Sequence, residues 1–426
     1  MKKARYNTLF VVLLMLTGCV SSFTFSPYEK RIDTPAYSER DYSSPKAEQE
    51  ELVIWTHDNF LDGSIENFQQ YYPDVHFEVK IIDQVNVVEK YHESMIDGQT
   101  PDLFIIPDEL LGSFSGIDGL EDLSNPLYYD QQFFGKRPSG LLENYYNAFG
   151  EMYAFPVLFF PYVTYYRSDI LEQHGFPDDP EQLKDYLADL EQFIAMADIL
   201  NENNHYVVDS PNMLIQTALR SSNFFTAEHE YLGQKGGFSD MIQAAIVLSE
   251  RELAPLDLSI WTGEGLTALK EDQIVMFQMG SYGQDRLKDW VPEQSGKWRI
   301  TSLPFDLAGI DATASSSVAI ASTSENKQLA WTFVRHFANN MLEMHTDLED
   351  DPFYDQENLA EFHWTIMEEE KLGIPSMLDH EVRIVWTEAL YEFSNGEPVG
   401  QSRVNKVHRN VKSRIRYDQR GLQQGQ

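Results

Sequence analysis

EMYAFPVLFFPYVTYYR, residues 151–167, is a long extended run with Pro156 and Pro161 set inside it. Proline cannot donate to a sheet ladder, so this is a poor central strand and a good crossing between two bodies. Upstream the pattern is an α/β alternation. ELVIWTHDN (51–59) is a short strand with a polar end, and GSIENFQQYYP (63–73) puts Ile65, Phe68 and Tyr72 on one helical face before Pro73 stops it. VHFEVKII (75–82) alternates as a half-buried strand, a helix through Val87, Val88, Tyr91 and Met95 leads to Gly98, and PDLFII (101–106) is a buried strand. Strand, helix, strand, helix, strand implies a parallel sheet, whose ligands sit beyond the carboxyl ends of its strands. His57, Asp58, Asn59, Asp108 and Glu109 fall there.

Downstream of the crossing the chain turns mostly helical. SDILEQHG (168–175) has Ser168 as N-cap and Gly175 as C-cap, a long helix lies near 180–202, another near 211–222, and FSDMIQAAIVLSE (238–250) is a fourth. Strands then return in QIVMFQM (273–279), KWRITSLPF (297–305) and SSSVAIAS (315–322), followed by a helix through Ala330, Trp331, Phe333, Val334 and Phe337. Residues 51–426 exceed what one core holds, so two lobes are expected.

The N-terminus explains the one cysteine of the chain. Lys2, Lys3 and Arg5 precede an apolar stretch, Leu9 to Leu16, too short to span a bilayer as a mature helix. Leu16-Thr17-Gly18-Cys19 resembles the lipobox of bacterial lipoproteins, which implies that residues 1–18 are a signal peptide and that Cys19 is acylated. Residues 19–50, rich in serine, proline and charges, read as the linker of a tethered, extracytoplasmic protein. With 68 acidic against 32 basic residues, a formal charge of −36, the surface repels nucleic acid and anionic headgroups. Nucleic acid is excluded as a partner, and the membrane is expected to be met through the lipid anchor alone.

The order of YYPDVHFEV, GQTPDLF, GLEDLS, MYAFPVLFFPYVTYYRSDILEQHGF, LKEDQIVMFQMGSYG, WRITSLPF and LAWTFVRHF resembles the extracellular solute-binding proteins of ABC transporters, in their sugar-binding cluster. The resemblance runs from about Leu52 into the 390s. It implies an α/β, periplasmic-binding-protein-like fold of two lobes, each a mostly parallel sheet flanked by helices, joined by a hinge. Lobe 1 would comprise 51–158 and 303–345, and lobe 2 would comprise 159–302 and 346–420. The crossings are expected near Phe159–Pro161, near Ser302–Ser317 and in DLEDDPFYDQEN (347–358). The 312–317 crossing departs from the family in its few glycines, which puts its backbone contacts to ligand in doubt.

Enzyme signatures are missing. GSFSG places Phe114 where a nucleophile would stand, HEYLG and HEVRI lack the second histidine of a zinc motif, and GQKGGF fits no phosphate loop. Asp108 and Glu109 could pose as paired acids, but neighbours on a strand end point apart. The acidic run 347–351 lacks calcium-loop spacing. No catalytic residue, metal or cofactor is expected.

Sugar recognition needs flat apolar faces and polar groups for hydroxyls in a closing cleft. By strand-end position and by the resemblance, the ligand residues are His57, Asp58, Asn59, Asp108, Glu109, Tyr162, Trp261, Tyr282, Ser315 and Tyr354, with Trp55 left to the core. The expected protein is a monomer that delivers a mono- or oligosaccharide to ABC permease subunits. A surface glycoside hydrolase and a binding protein serving a sensor are the alternatives. Residues 403–420 read as a final docked helix with a cationic outer face, Val404, Val407, Val411 and Ile415 turned inward.

Overall fold

The computed structural model describes residues 50–425, apart from 227, 257, 347–350, 357, 370, 371 and 395–397. Residues 1–49, with the leader, Cys19 and nearly all of the linker, lie outside the described residues. Among the described residues eight strands form two sheets, covered by thirteen α-helices of six residues or more. Lobe 1 opens with β1 (Glu50–Thr56), α1 (Asp62–Tyr71), β2 (Val75–Ile81), α2 (Val87–Asp97) and β3 (Leu103–Pro107), and ends its first pass with β4 (Phe155–Leu158). Lobe 2 takes β5 (Tyr162–Arg167), α3 (Ser168–Gln173), α4 (Pro180–Leu187), α5 (Leu190–Asn201), α6 (Pro211–Arg220), α7 (Gly236–Glu250), α8 (Gly263–Lys270), β6 (Met276–Gly280), α9 (Gly283–Trp290) and β7 (Trp298–Thr301). The chain then returns through β8 (Ser316–Ile320) and α10 (Lys327–Thr346), and closes with α11 (Leu359–Glu369), α12 (Asp379–Ser394) and α13 (Gln401–Gly425).

The first sheet runs in the order β2-β1-β3-β8-β4. Its β2-β1-β3 half is parallel, as the sequence alternation requires, whereas β8 lies antiparallel to both β3 and β4. Asp102 fixes this junction: its carboxylate accepts from Val53 N at 2.9 Å and from the Ser324 hydroxyl at 2.5 Å, and its carbonyl accepts from Ala321 N. The second sheet, β6-β5-β7, is antiparallel at both pairings, which corrects the expectation of mostly parallel strands in each lobe. β6 and β7 both run opposite to β5, so the strand that leaves the crossing is flanked by two that return toward it.

Other readings also shift. The single helix expected near 180–202 is two, because Asp189 accepts from Gln192 N and starts α5 anew. Ser168 spends its hydroxyl on the Lys297 carbonyl instead of capping α3. Strand β2 exists, but Val79 and Ile81 lie open at the sheet edge, so its alternation is not one of burial. Gly98 ends α2 at φ +67, a left-handed position that suits glycine.

Each lobe has its own core, one around Phe68, Phe104, Phe155 and Phe333, the other around Tyr165, Phe193, Trp298 and Trp386. Placing all of 346–420 in lobe 2 does not hold for α11. Its Leu359 joins the second core, and its Met367 joins the first. Gly112, in the 3-10 turn Asp108–Phe114 of lobe 1, lies so close to Ser376 that a Cβ would collide with the Ser376 carbonyl. The C-terminal segment therefore stitches the lobes together. Among the described residues no helix is long and apolar enough to cross a membrane.

Candidate functional site

The two sheets exchange the chain at 159–161, between β4 and β5, and at 302–315, between β7 and β8. These strands are bound to each other at the passage. Asp311 N donates to Phe160 O at 3.1 Å, Tyr162 N to Gly309 O at 2.7 Å, and Ser281 N to Pro161 O at 2.7 Å. His345, in the last turn of α10, adds a fourth tie through its Nε2 to Phe159 O at 2.9 Å.

On the lobe 1 side, Asp108 follows β3 and is buried. Its backbone N–H donates to Ser315 O at 3.0 Å, and one carboxylate oxygen accepts from the Tyr145 hydroxyl at 2.7 Å. The other oxygen, Oδ1, has no hydrogen-bond partner within the protein. Burial pushes this carboxyl up to about 7, offset only in part by the Tyr145 and Ser317 hydroxyls, because the charged form has lost its water. His57, after β1, meets the Ser316 hydroxyl at 3.0 Å and leans on Phe60; burial holds its ring down to about 4, so it is neutral at physiological pH. Asp58 accepts from Asn59 N at 2.7 Å, and Asn59 itself is exposed. Glu109 accepts from Gln84 at 2.6 Å and lies in the field of Arg383 and His380 on α12.

On the lobe 2 side, Tyr162 is buried with its hydroxyl 3.3 Å from that of Thr217. Tyr282, half-buried at the N-cap of α9, stands edge-on to Phe160 with ring centroids 5.2 Å apart. Arg220, the last residue of α6, pairs with Asp311 at 3.1 Å. Trp261 lies just ahead of α8, whose N-cap is Thr262; it is 39% exposed, edge-on to Trp290 and beneath Arg286.

Two nominated residues are turned inward. Tyr354 is enclosed in the lobe 2 core, its hydroxyl donating to Gln284 O at 2.8 Å, so it offers no face to a ligand. The Ser315 hydroxyl donates to Asp311 O at 2.7 Å and is likewise spent. The glycine-poor crossing has a substitute. The Asp311 carboxylate accepts from Thr313 N, Ala314 N and the Thr313 hydroxyl at 2.8 to 3.2 Å, so those amides hold the loop and not a solute. The structure thus brings His57, Asp108, Ser315 and Tyr162 to one passage. It adds Arg220, Asp311 and Tyr145, which sequence reasoning missed. Asp311, an acid between Gly309 and a serine run, was a readable turn signal; Tyr145 and Arg220 carried none.

Among the described residues no cluster of three or more His, Cys, Asp or Glu is placed to hold a metal. Two α/β lobes sharing short crossings, with buried polar groups gathered at the passage, have the form of the hinged two-lobe binding proteins. Over residues 64–349 the chain matches the bacterial extracellular solute-binding proteins, and it belongs to that family, one of binding proteins and not of enzymes. It is 25% identical over 301 residues to a lactose-binding protein of Rhizobium radiobacter, a match spanning 63% of this chain and 64% of that protein's length. Two solved structures share the fold. The galacto-N-biose/lacto-N-biose I-binding protein of an ABC transporter from Bifidobacterium longum, in complex with lacto-N-biose, matches at TM-score 0.63 and 14% identity over 87% of this chain and 98% of that one. The sugar-binding protein MalE from Xanthomonas citri matches at TM-score 0.63 and 16% identity, covering 86% and 96%.

Proposed function

We propose that this protein captures a carbohydrate between its lobes and delivers it to the permease subunits of an ABC importer, from a site outside the cytoplasm where Cys19 anchors it by lipid. The observation that carries the reading is the passage itself. Asp108 Oδ1 is a buried acceptor without a partner, the Arg220 guanidinium spends one nitrogen on Asp311, and Tyr282 keeps a partly open ring beside Phe160, while Trp261, against Trp290 at the other end of α9, is a further open ring of lobe 2. Hydroxyls satisfy such acceptors and donors, and C–H faces of a sugar ring pack on such rings. The sugar bound by the Bifidobacterium longum protein supports the solute class.

A solute touching both lobes favours the closed arrangement, because only there are both sets of contacts made. Calorimetry and thermal shift against mono- and oligosaccharides, polyols and amino acids test the reading. A bound sugar at a hundredfold excess over its Kd should raise stability by about 2.7 kcal/mol. Trp261→Ala, Tyr282→Ala and Asp108→Ala, each shown to be folded, should weaken binding roughly thirtyfold. Parent-like affinity in all three would place the solute elsewhere, and binding confined to amino acids would overturn the carbohydrate assignment.

A further inference from the structure

The formal charge of −36 says that the chain as a whole avoids anionic surfaces, but it does not describe α13. That helix holds seven lysines and arginines and a single acid, Asp418. Val404, Val407, Val411 and Ile415 are buried against the body. At 100° per residue, the opposite side collects Lys406, Arg409, Lys412, Arg416 and Arg420, all exposed. Arg414 is spent on Glu381, Lys412 donates to Gln234, and Arg416 donates to the Tyr417 hydroxyl. Lys406, Arg409 and Arg420 make no ion pair among the described residues. Glu388 of α12 shares a shallow groove with Asn410, Ser413 and Arg414 at the flank of the stripe.

We infer that this stripe docks the body onto a bilayer bearing anionic phospholipid headgroups. From Lys406 to Arg420 it runs straight for about 21 Å at 1.5 Å per residue. At physiological salt, charges farther away than roughly 8 Å are largely screened, so an apposed surface meets the local stripe and not the net charge of the body. A protein partner would be held by a buried apolar or aromatic centre, whereas the outward side of α13 itself presents one large apolar side chain among the described residues, Tyr417, 71% exposed and lying beside the stripe at the edge of a groove with Met377 and Leu422. A row of cations with a flanking tyrosine is what a headgroup layer attracts, by charge density and not by shape. Tethering at Cys19 would favour the contact. An anchor at Cys19, 31 positions ahead of Glu50, would keep the body near the surface it would touch. The inference does not depend on the identity of the solute.

The test uses the full chain, diluted from detergent into phosphatidylcholine vesicles or into vesicles enriched in phosphatidylglycerol, with partition measured by flotation across a lipid titration. The leader, with its apolar run and its Lys2, Lys3 and Arg5, is the same in parent and variant, so the change in the ratio of the two partition coefficients between them reads the contribution of the stripe alone. A ratio well above one that collapses in high salt is expected. In the triple variant Lys406→Gln, Arg409→Gln, Arg420→Gln the partition into anionic vesicles should fall by about a hundredfold, at roughly fivefold per cation. Partition into phosphatidylcholine and the thermal midpoint should stay unchanged. A ratio at or below one, or a wild-type ratio in the triple variant, overturns the inference.

Discussion

Replacing Asp108 by asparagine isolates one buried proton. In the folded chain this carboxyl is pushed up to about 7, and in the unfolded chain it returns to its ordinary value near 3.8. A raised carboxyl binds its proton more tightly when folded, so it stabilises the fold at low pH and loses that contribution as pH climbs toward 7. Linkage over these two values gives a loss of about 2 kcal/mol between about pH 5.5 and 8.5 in the parent. Asparagine has nothing to titrate there. Whatever fixed cost it carries for placing an amide beside Tyr145, the stability of Asp108→Asn relative to the parent should improve by about 2 kcal/mol over that interval. Urea unfolding at the two pH values, with tryptophan fluorescence as readout, measures the difference without needing either absolute stability. Parallel pH profiles for parent and variant would refute the argument, since they would mean that Asp108 is ionised in the fold throughout.

Three further outcomes follow from the passage between the lobes. Arg220→Gln leaves the fully buried Asp311 without its cation and should cost about 3 kcal/mol, the low end for a broken buried pair because Arg220 keeps 25% of its side chain exposed; chemical denaturation reads it. Burial holds His345 down to about 4, so the unfolded chain takes up the proton first and stability should fall as pH drops from about 6.5 to 4, by roughly 3 kcal/mol for this residue. A His345→Gln variant should show a shallower acid limb in thermal unfolding. Gly112→Ala forces the 3-10 turn away from the Ser376 backbone and should destabilise by about 1–3 kcal/mol, with faster hydrogen exchange at the start of α12.

The alternation of β1, α1, β2, α2 and β3 was readable because each element carries its own period and stop signal, and the crossing at 159–161 because two prolines interrupt a β-prone run. The antiparallel second sheet was not, since strand direction depends on which neighbour a strand finds, and nothing within QIVMFQM or KWRITSLPF encodes that. Tyr354 misled for a related reason. An aromatic beside an acidic loop looks exposed on paper, but only the fold shows its hydroxyl reaching Gln284. Asp108 could be located from its strand end alone. Its unsatisfied oxygen and its bond to Tyr145 depend on residues 37 positions apart and could not.

The placement of β8 bears on how the chain acquires its shape. This strand fills the gap between β3 and β4, yet it is made only after all three strands of the lobe 2 sheet have been laid down. Until residues 316–320 arrive, β4 has no partner in its sheet, and the carboxyl side of β3, where Asp108 sits, has an open flank. Lobe 1 must then close on pairings such as Leu103 with Ile320, more than two hundred positions apart, a topology that folds slowly. A growing chain would therefore remain loose in its first half while β5, β6 and β7 are already able to pair. Truncation anywhere before Ser316 should leave lobe 1 unfinished, with β3 and β4 presenting bare edges that invite association with other chains.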